Sequence, residues 1–207
     1  EWTGDQEEQA ESGAFLMQAF AGALGLMFII LLAQFNSFYN AVLVLLAVVL
    51  STTGVLIGML VMEQPFSIIM TGTGIVALAG IVVNNNIVLI DTYDRIVGTA
   101  KTPMEAIIRT GAQRLRPVML TTATTIFGLL PMVTRVNIDF VTREISIGAP
   151  STQWWQQLAT AIAFGLAFAT ILTMIVTPSL LMVRVNVSAW RERRRSAKPS
   201  DQTIPAA

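Results

Sequence analysis

Charged residues leave four long gaps along the chain, and these gaps predict where helices cross a membrane. No Asp, Glu, Lys or Arg occurs in residues 12–62, 64–90, 117–134 or 145–183. A helix that crosses the hydrocarbon core needs about 20 mainly apolar residues. The first gap can hold two crossings, because the polar and aromatic sequence 34–40 interrupts it. We therefore predict an all-α integral membrane protein built as a bundle of five transmembrane helices.

The hydrophobic pattern also gives approximate bounds for these elements. The five spans are expected at about 15–34, 41–62, 66–92, 117–134 and 157–183. Thr102, Pro103 and Glu105 are typical of a helix start, and they predict an amphipathic surface helix at about 102–115. Pro117 is then expected to begin the fourth span. The domain division is a stub at 1–14, a transmembrane domain at 15–185 and a basic tail at 186–207, which we expect to be disordered.

Composition supports the membrane assignment and excludes several kinds of chemistry. The chain is 54% hydrophobic and 13% charged, which is unusual for a water-soluble domain. It contains no Cys and no His, so a disulfide framework, a thiol nucleophile, the usual zinc sites and imidazole catalysis are excluded. The net charge is zero, which gives no electrostatic case for binding nucleic acid. No phosphate-binding loop or nucleophile motif appears, so we expect no enzyme activity, cofactor or metal site.

The distribution of Lys and Arg predicts how the chain is oriented. Eleven of these residues fall in the segments on one side of the five spans, and two, Arg135 and Arg143, fall on the other side. Cytoplasmic segments are enriched in Lys and Arg. We therefore expect a periplasmic N-terminus and a cytoplasmic C-terminus in a bacterial inner membrane. The first 14 residues carry five acidic and no basic residues and do not resemble a signal peptide, so we expect the chain to continue from a missing porter domain.

Small residues at a spacing of four indicate close packing between helices. Gly54 and Gly58 form a Gly-xxx-Gly pair, and Ala161, Gly165 and Ala169 repeat the small-residue spacing along the last span. Ala21 and Gly25 match a looser form of the pattern. We assign these positions to packing and not to function.

Three consecutive amides, Asn84, Asn85 and Asn86, lie inside the apolar third span. Amides are costly in hydrocarbon unless they are hydrogen-bonded. Three in a row project over about 200° of a helix and cannot share one partner. They could join helices by hydrogen bonds, or they could line a path for ions or protons. Asp91 lies seven residues after Asn84 on the same face, where it is either a solvated carboxylate or part of such a path.

Two arginines and four threonines mark the first half of the fourth span. Arg114, Thr121 and Thr125 are spaced by seven and four residues, which places them on one stripe of a helix. Asn84 and Thr121 fall at about the same depth, roughly 6 to 8 Å to the cytoplasmic side of the midplane. The arginines could instead serve topology alone, with the threonines bonded to their own backbone.

These sequences resemble the permeases of the resistance-nodulation-division (RND) class. Residues 66–72 and 80–91 are similar to the tenth transmembrane helix of that family, residues 114–122 with 128–131 to the eleventh, and residues 34–38 to the turn after the eighth. The resemblance covers about residues 5–185 and preserves the order and spacing of these motifs. It implies that the chain holds helices eight to twelve of a twelve-helix permease.

The resemblance also implies a function and a set of candidate residues. Permeases of this class use proton influx to drive export, through two aspartates on the fourth helix, a lysine on the tenth, and an arginine and a threonine on the eleventh. Asn84 stands at the position of the lysine, Asn85 at the following asparagine, Arg114 at the arginine and Thr121 at the threonine. An amide cannot replace the charge of lysine, but it can hydrogen-bond an aspartate. The proton-pathway candidates are therefore Asn84, Asn85, Thr121, Arg114 and Asp91.

The leading hypothesis is export of drugs or other amphiphilic compounds by a proton-driven permease. Expected partners are the N-terminal part of the same permease, two further copies in a homotrimer, a periplasmic adaptor, an outer-membrane channel and the lipid bilayer. Metal export is less favoured, because the predicted spans carry no regular series of Met, Cys or carboxylate side chains that could bind a soft metal ion along a path. The alternatives are a relative that exports metal ions or lipids, and a non-transporting membrane anchor or accessory subunit.

Overall fold

The computed structural model describes residues 3–139, 144–148 and 150–196. These residues form five helices and one short β-hairpin. The helices are α1 (Thr3–Phe35), α2 (Phe38–Val61), α3 (Ile68–Val97), α4 (Pro103–Val133) and α5 (Pro150–Ser196). All five are long and apolar enough to cross a membrane. The predicted all-α bundle of five transmembrane helices is therefore confirmed.

The connections between the helices alternate between the two ends of the bundle. We call one end the basic end; it holds the α1–α2 turn, the α3–α4 connection and the C-terminal end of α5. We call the other end the hairpin end, because strands β1 (Val136–Asp139) and β2 (Glu144–Ile147) pair there in antiparallel register between α4 and α5.

Helix α4 is one continuous element of 31 residues, whereas the sequence suggested a surface helix followed by a separate span. Thr102 caps its start, with its hydroxyl oxygen accepting from the Glu105 backbone N–H at 3.2 Å, as the sequence predicted. Pro117 lies inside the helix and does not interrupt it. A proline removes one backbone hydrogen bond, and membrane helices tolerate this because neighbouring groups compensate for it.

Helices α1 and α5 are longer than the sequence indicated. Helix α1 begins at Thr3, within the segment we expected to be a stub, and α5 runs through Pro178 to Ser196, within the segment expected to be a disordered tail. Residues 197–207 lie outside the described part of the chain. Polar and charged residues such as Glu, Gln and Arg are good helix formers, so a helix can extend beyond its apolar segment.

Helix α5 lies at the centre of the bundle, where it packs against α2, α3 and α4. A Cβ atom added at Gly54 or Gly58 would collide with Phe168 or Phe164 of α5, and one added at Gly165 would collide with Leu78 of α3. The predicted packing role of these glycines is confirmed. Gly25 has no neighbour within 4 Å of such an atom, so it has no packing role in the described part of the chain. Helix α1 packs against α2 and α3, and the described residues leave most of its apolar surface uncovered.

Candidate functional site

The three consecutive amides of α3 have different surroundings. Asn84 is exposed, Asn85 is half-buried and Asn86 is completely buried. The side chains of Asn84 and Asn85 make no hydrogen bond to any residue that the structure describes. Asn84 lies near the middle of α3, in the apolar part of the helix. An amide at this depth is costly in hydrocarbon unless it is hydrogen-bonded, and the described residues provide no such partner for Asn84.

Asn86 is the amide that joins helices. Its Nδ2 donates to the Val82 carbonyl at 3.0 Å and to Thr173 Oγ1 at 3.3 Å. Its Oδ1 accepts from the Thr177 hydroxyl at 2.9 Å. Both threonines belong to α5 and are buried. Asn86 therefore fits the hypothesis that the amides join helices by hydrogen bonds, and the assignment of Asn84 to a path for ions or protons stays a prediction.

Arg114 joins α4 to α3 near the basic end. Its Nε donates to Thr92 Oγ1 at 2.6 Å, and Thr92 is itself buried. From this contact, Asn84 lies eight residues along α3 and Thr121 lies seven residues along α4, both toward the hairpin end. At about 1.5 Å per residue these displacements are about 12 and 10.5 Å, so the two residues lie at nearly the same level of the bundle.

Thr121 is exposed at this level. Its hydroxyl donates to the Val118 carbonyl at 3.0 Å, and the hydroxyl of Thr125 donates to the Thr121 carbonyl at 2.9 Å. In these local bonds each hydroxyl is the donor, so its oxygen can still accept a hydrogen bond from another group. We refer to Asn84 and Thr121 as the exposed polar pair, since both present polar side chains at one depth of adjacent helices.

Asp91 lies apart from the exposed polar pair and near the basic end. Its Oδ2 forms an ion pair with the Nε of Arg95 at 3.0 Å, one turn further along α3. The side chains of Asp91 and Arg95 are 39% and 78% exposed, respectively. The structure thus gives Asp91 the surroundings of a surface ion pair, and its assignment to a proton path remains a prediction.

Several buried polar residues of α4 and α5 that the sequence did not single out lie together in the core. Thr122 of α4 lies 2.9 Å from Thr170 of α5, and both are buried. Asn86 of α3 bonds to Thr173 and Thr177 of α5. Three threonines of α5, Thr170, Thr173 and Thr177, thus make polar contacts with α3 or α4. Their spacing of three and four residues is that of one helix face, and this spacing was a signal that the sequence contained.

A second missed cluster joins α2, α3 and α5 at the basic end. The buried side chain of Asn40 accepts from Arg184 Nη1 at 3.0 Å and donates to Asp94 Oδ2 at 3.4 Å. Arg184 also lies 5.9 Å from the centre of the Tyr39 ring, within cation–π range. The Asn40 amide therefore connects a cation on α5 to a carboxylate on α3.

Comparison with known proteins identifies the class to which this bundle belongs. The family model described as the AcrB/AcrD/AcrF family matches residues 1–184. The chain therefore belongs to this family of RND permeases, as the sequence resemblance implied. Members of this family are multi-pass proteins of the inner membrane, which agrees with the five apolar helices.

The chain is similar to relatives with different printed roles. It is 27% identical over 185 residues to an uncharacterized transporter of Haemophilus influenzae, covering 86% of this chain and 17% of that protein. It is 28% identical to the cobalt-zinc-cadmium resistance protein CzcA of Cupriavidus metallidurans, covering 86% and 16%. It is 30% identical to the multidrug resistance protein MdtC of an Enterobacter species, covering 83% and 16%.

A solved structure shows the same arrangement of helices. The crystal structure of a heavy metal efflux pump superimposes with a TM-score of 0.68 at 26% identity, covering 86% of this chain and 16% of that one. The chain thus spans about one sixth of the length of the proteins it matches.

Proposed function

We propose that this chain is the second-half membrane portion of a proton-driven export permease, in which the exposed polar pair forms one wall of the proton path. The observation that carries the proposal is the position of Asn84: an amide near the middle of a membrane-spanning helix, exposed and without a hydrogen-bond partner in the described part of the chain. Polar groups at such depth face a bundle interior or a water-filled path. The remaining part of the permease would supply the groups that cover it.

The partner of the exposed polar pair is proposed to be a carboxylate on a helix of that remaining part. The Asn84 Nδ2 can donate to a carboxylate oxygen, whether the carboxyl group is ionised or protonated. The Thr121 hydroxyl can give up its bond to the Val118 carbonyl and donate to the same group. Neither side chain carries charge, so the attraction for an ionised carboxylate is weaker than lysine would provide.

Arg114 is proposed to supply the positive charge of the path. Only its Nε is engaged, by Thr92, and its Nη atoms donate to no acceptor that the structure describes. A guanidinium group offers paired N–H donors that match the two oxygens of a carboxylate. Arg114 lies closer to the basic end of the bundle than the exposed polar pair does. With the basic end in the cytoplasm, a proton would pass Arg114 as it leaves the path.

The proposed orientation has the basic end in the cytoplasm and the hairpin end in the periplasm. The support is the excess of Lys and Arg at the basic end, eleven against two. The partners that the family resemblance implies, a homotrimer with a periplasmic adaptor and an outer-membrane channel, belong to this proposal.

The proposed substrates are drugs or other amphiphilic compounds, and the MdtC relative is a multidrug resistance protein by name. Export of metal ions is the second candidate, because CzcA is a cobalt-zinc-cadmium resistance protein by name and the superimposed crystal structure is that of a heavy metal efflux pump. Cells that express the full-length permease distinguish the two. Greater tolerance of cationic dyes and detergents supports the first, and greater tolerance of cobalt, zinc or cadmium alone supports the second.

Export by the full-length permease carrying Asn84→Ala or Thr121→Ala tests the proposed path. We expect each substitution to lower the initial rate of dye efflux at equal abundance in the membrane. Thr73→Val is a matched control, because the exposed Thr73 hydroxyl of α3 donates only to its own helix, at the Ile69 carbonyl. Unchanged efflux in both test variants would remove the exposed polar pair from the mechanism. A permease that exports nothing in its native form would favour the membrane-anchor alternative.

A further inference from the structure

We propose that Thr173 and Thr177 of α5 are positioning residues for transport: by binding Asn86, they hold α3 in the rotation that presents Asn84 to the rest of the permease. This inference rests on the proposed function of the exposed polar pair. Neither threonine touches the path itself. They are proposed to act through Asn86, two residues from Asn84.

The amide of Asn86 is bound at both of its polar atoms. Thr177 donates to Oδ1 at 2.9 Å, and Thr173 accepts from Nδ2 at 3.3 Å. The two threonines are four residues apart and therefore lie on one face of α5. Because one bond uses the amide oxygen and the other uses the amide nitrogen, a rotation of α3 about its axis would break both of them.

The geometry of an α-helix converts this contact into a constraint on Asn84. Successive residues are about 100° apart around the axis, so Asn84 and Asn86 point about 200° apart. Burial of Asn86 against α5 therefore directs Asn84 to the opposite side of α3. The observed exposures agree, since Asn86 is 0% exposed and Asn84 is exposed.

The same face of α5 holds α4. Thr170 Oγ1 lies 2.8 Å from the Leu166 carbonyl oxygen and 2.9 Å from Thr122 Oγ1 of α4, a contact in which either hydroxyl can be the donor. Thr122 is the neighbour of Thr121 in sequence. Helix α5 thus binds both helices of the exposed polar pair through residues one and two positions away from it.

The decisive experiment compares threonine variants in the full-length permease. The double variant Thr173→Val/Thr177→Val removes both hydroxyls with little change in shape, and Thr177→Ser retains a hydroxyl and serves as the conservative variant against Thr177→Val. Ser179→Ala is the matched control on α5, because the Ser179 hydroxyl is exposed and donates only to the Ile175 carbonyl. The initial rate of dye efflux is measured as a function of pH at equal membrane abundance.

We expect the double variant to transport roughly three- to tenfold more slowly, as loss of one or two interhelical hydrogen bonds predicts, and to show a displaced pH dependence. Thr177→Ser should transport faster than Thr177→Val, and Ser179→Ala should match the unsubstituted permease. A merely structural role would lower abundance and leave the rate per molecule and its pH dependence unchanged, which would overturn the proposal.

Asn84→Ala in the same assay separates this inference from the proposed function. If Asn84→Ala slows efflux while the double valine variant does not, the positioning role is wrong and the proposed path stands. If Asn84→Ala and Thr121→Ala both leave efflux unchanged, the proposed path fails and the positioning role fails with it.

Discussion

Arg114 and Thr92 form a direct link between two membrane helices: the guanidinium Nε of Arg114 donates to the Thr92 hydroxyl oxygen over 2.6 Å. Thr92 in turn donates to the Val88 carbonyl of its own helix at 2.7 Å. The contact fixes α4 relative to α3 along their length. Counted from this contact, Asn84 and Thr121 lie at nearly the same level of their helices, about 10 to 12 Å further into the bundle.

A double-mutant cycle on this pair should reveal a favourable coupling energy. We expect Arg114→Lys and Thr92→Val to destabilise the permease non-additively, with a coupling of about 0.5 to 1.5 kcal/mol, because hydrogen bonds between membrane helices lie in this range. Reversible unfolding in mixed micelles provides the measurement. Strictly additive effects would mean that the two side chains do not interact in the folded protein.

The same substitution should destabilise the protein much more at Asn86 than at Asn84. Asn86→Leu removes the bonds to Thr173 and Thr177 and should destabilise the protein by about 1 to 2 kcal/mol. Asn84→Leu removes no hydrogen bond within the described residues, so it should change stability much less while impairing transport. Thermal unfolding of the purified permease in detergent checks the difference. Equal losses of stability would contradict the separate roles of the two amides.

Gly54 should not tolerate even the smallest side chain. A methyl group there would meet Phe168 of α5, and overpacking of this kind costs about 1 to 3 kcal/mol. Gly22→Ala is the matched control, since no atom lies within 4 Å of an added Cβ at Gly22 of α1. We expect Gly54→Ala to lower the unfolding temperature and Gly22→Ala to leave it unchanged. A comparable loss in both variants would indicate a general effect of replacing glycine in these helices.

Single cysteines should report the orientation of the bundle, because this chain has no native cysteine. A thiol at Glu63→Cys, in the α2–α3 connection at the hairpin end, should react in intact cells with a maleimide that does not cross membranes. A thiol at Lys101→Cys, in the α3–α4 connection at the basic end, should react only after the inner membrane is made permeable. The reverse pattern would place the basic end outside the cytoplasm.

The number of spans could be predicted from sequence, because charged residues are excluded from hydrocarbon and the gaps between them are long. Helix ends could not be predicted as well. The sequence predicts a boundary at Pro117, but a proline removes only one backbone hydrogen bond, and α4 continues through it. The helical tail of α5 was missed for a related reason, since its polar residues are compatible with helix as well as with disorder.

The candidate site was only partly accessible from sequence. Periodicity showed that Asn84, Asn85 and Asn86 could not share one partner, but it could not show which of them faces the core. That choice depends on α5, whose Thr173 and Thr177 lie about 90 residues away along the chain. The hydrogen bond from Arg114 to Thr92 likewise depends on tertiary structure, because it requires that α3 and α4 pack together.

The most direct test of the central claim is to find what covers Asn84 in the full-length permease. A photo-crosslinking amino acid placed at position 84 should form an adduct with a helix of the part of the permease outside this chain, identified by mass spectrometry. The same probe at position 86 should react with α5, near Thr173 and Thr177, and so confirms that the method reports neighbours correctly. Adducts at position 84 with lipid alone would contradict the account, because the amide would then face the bilayer and line no path.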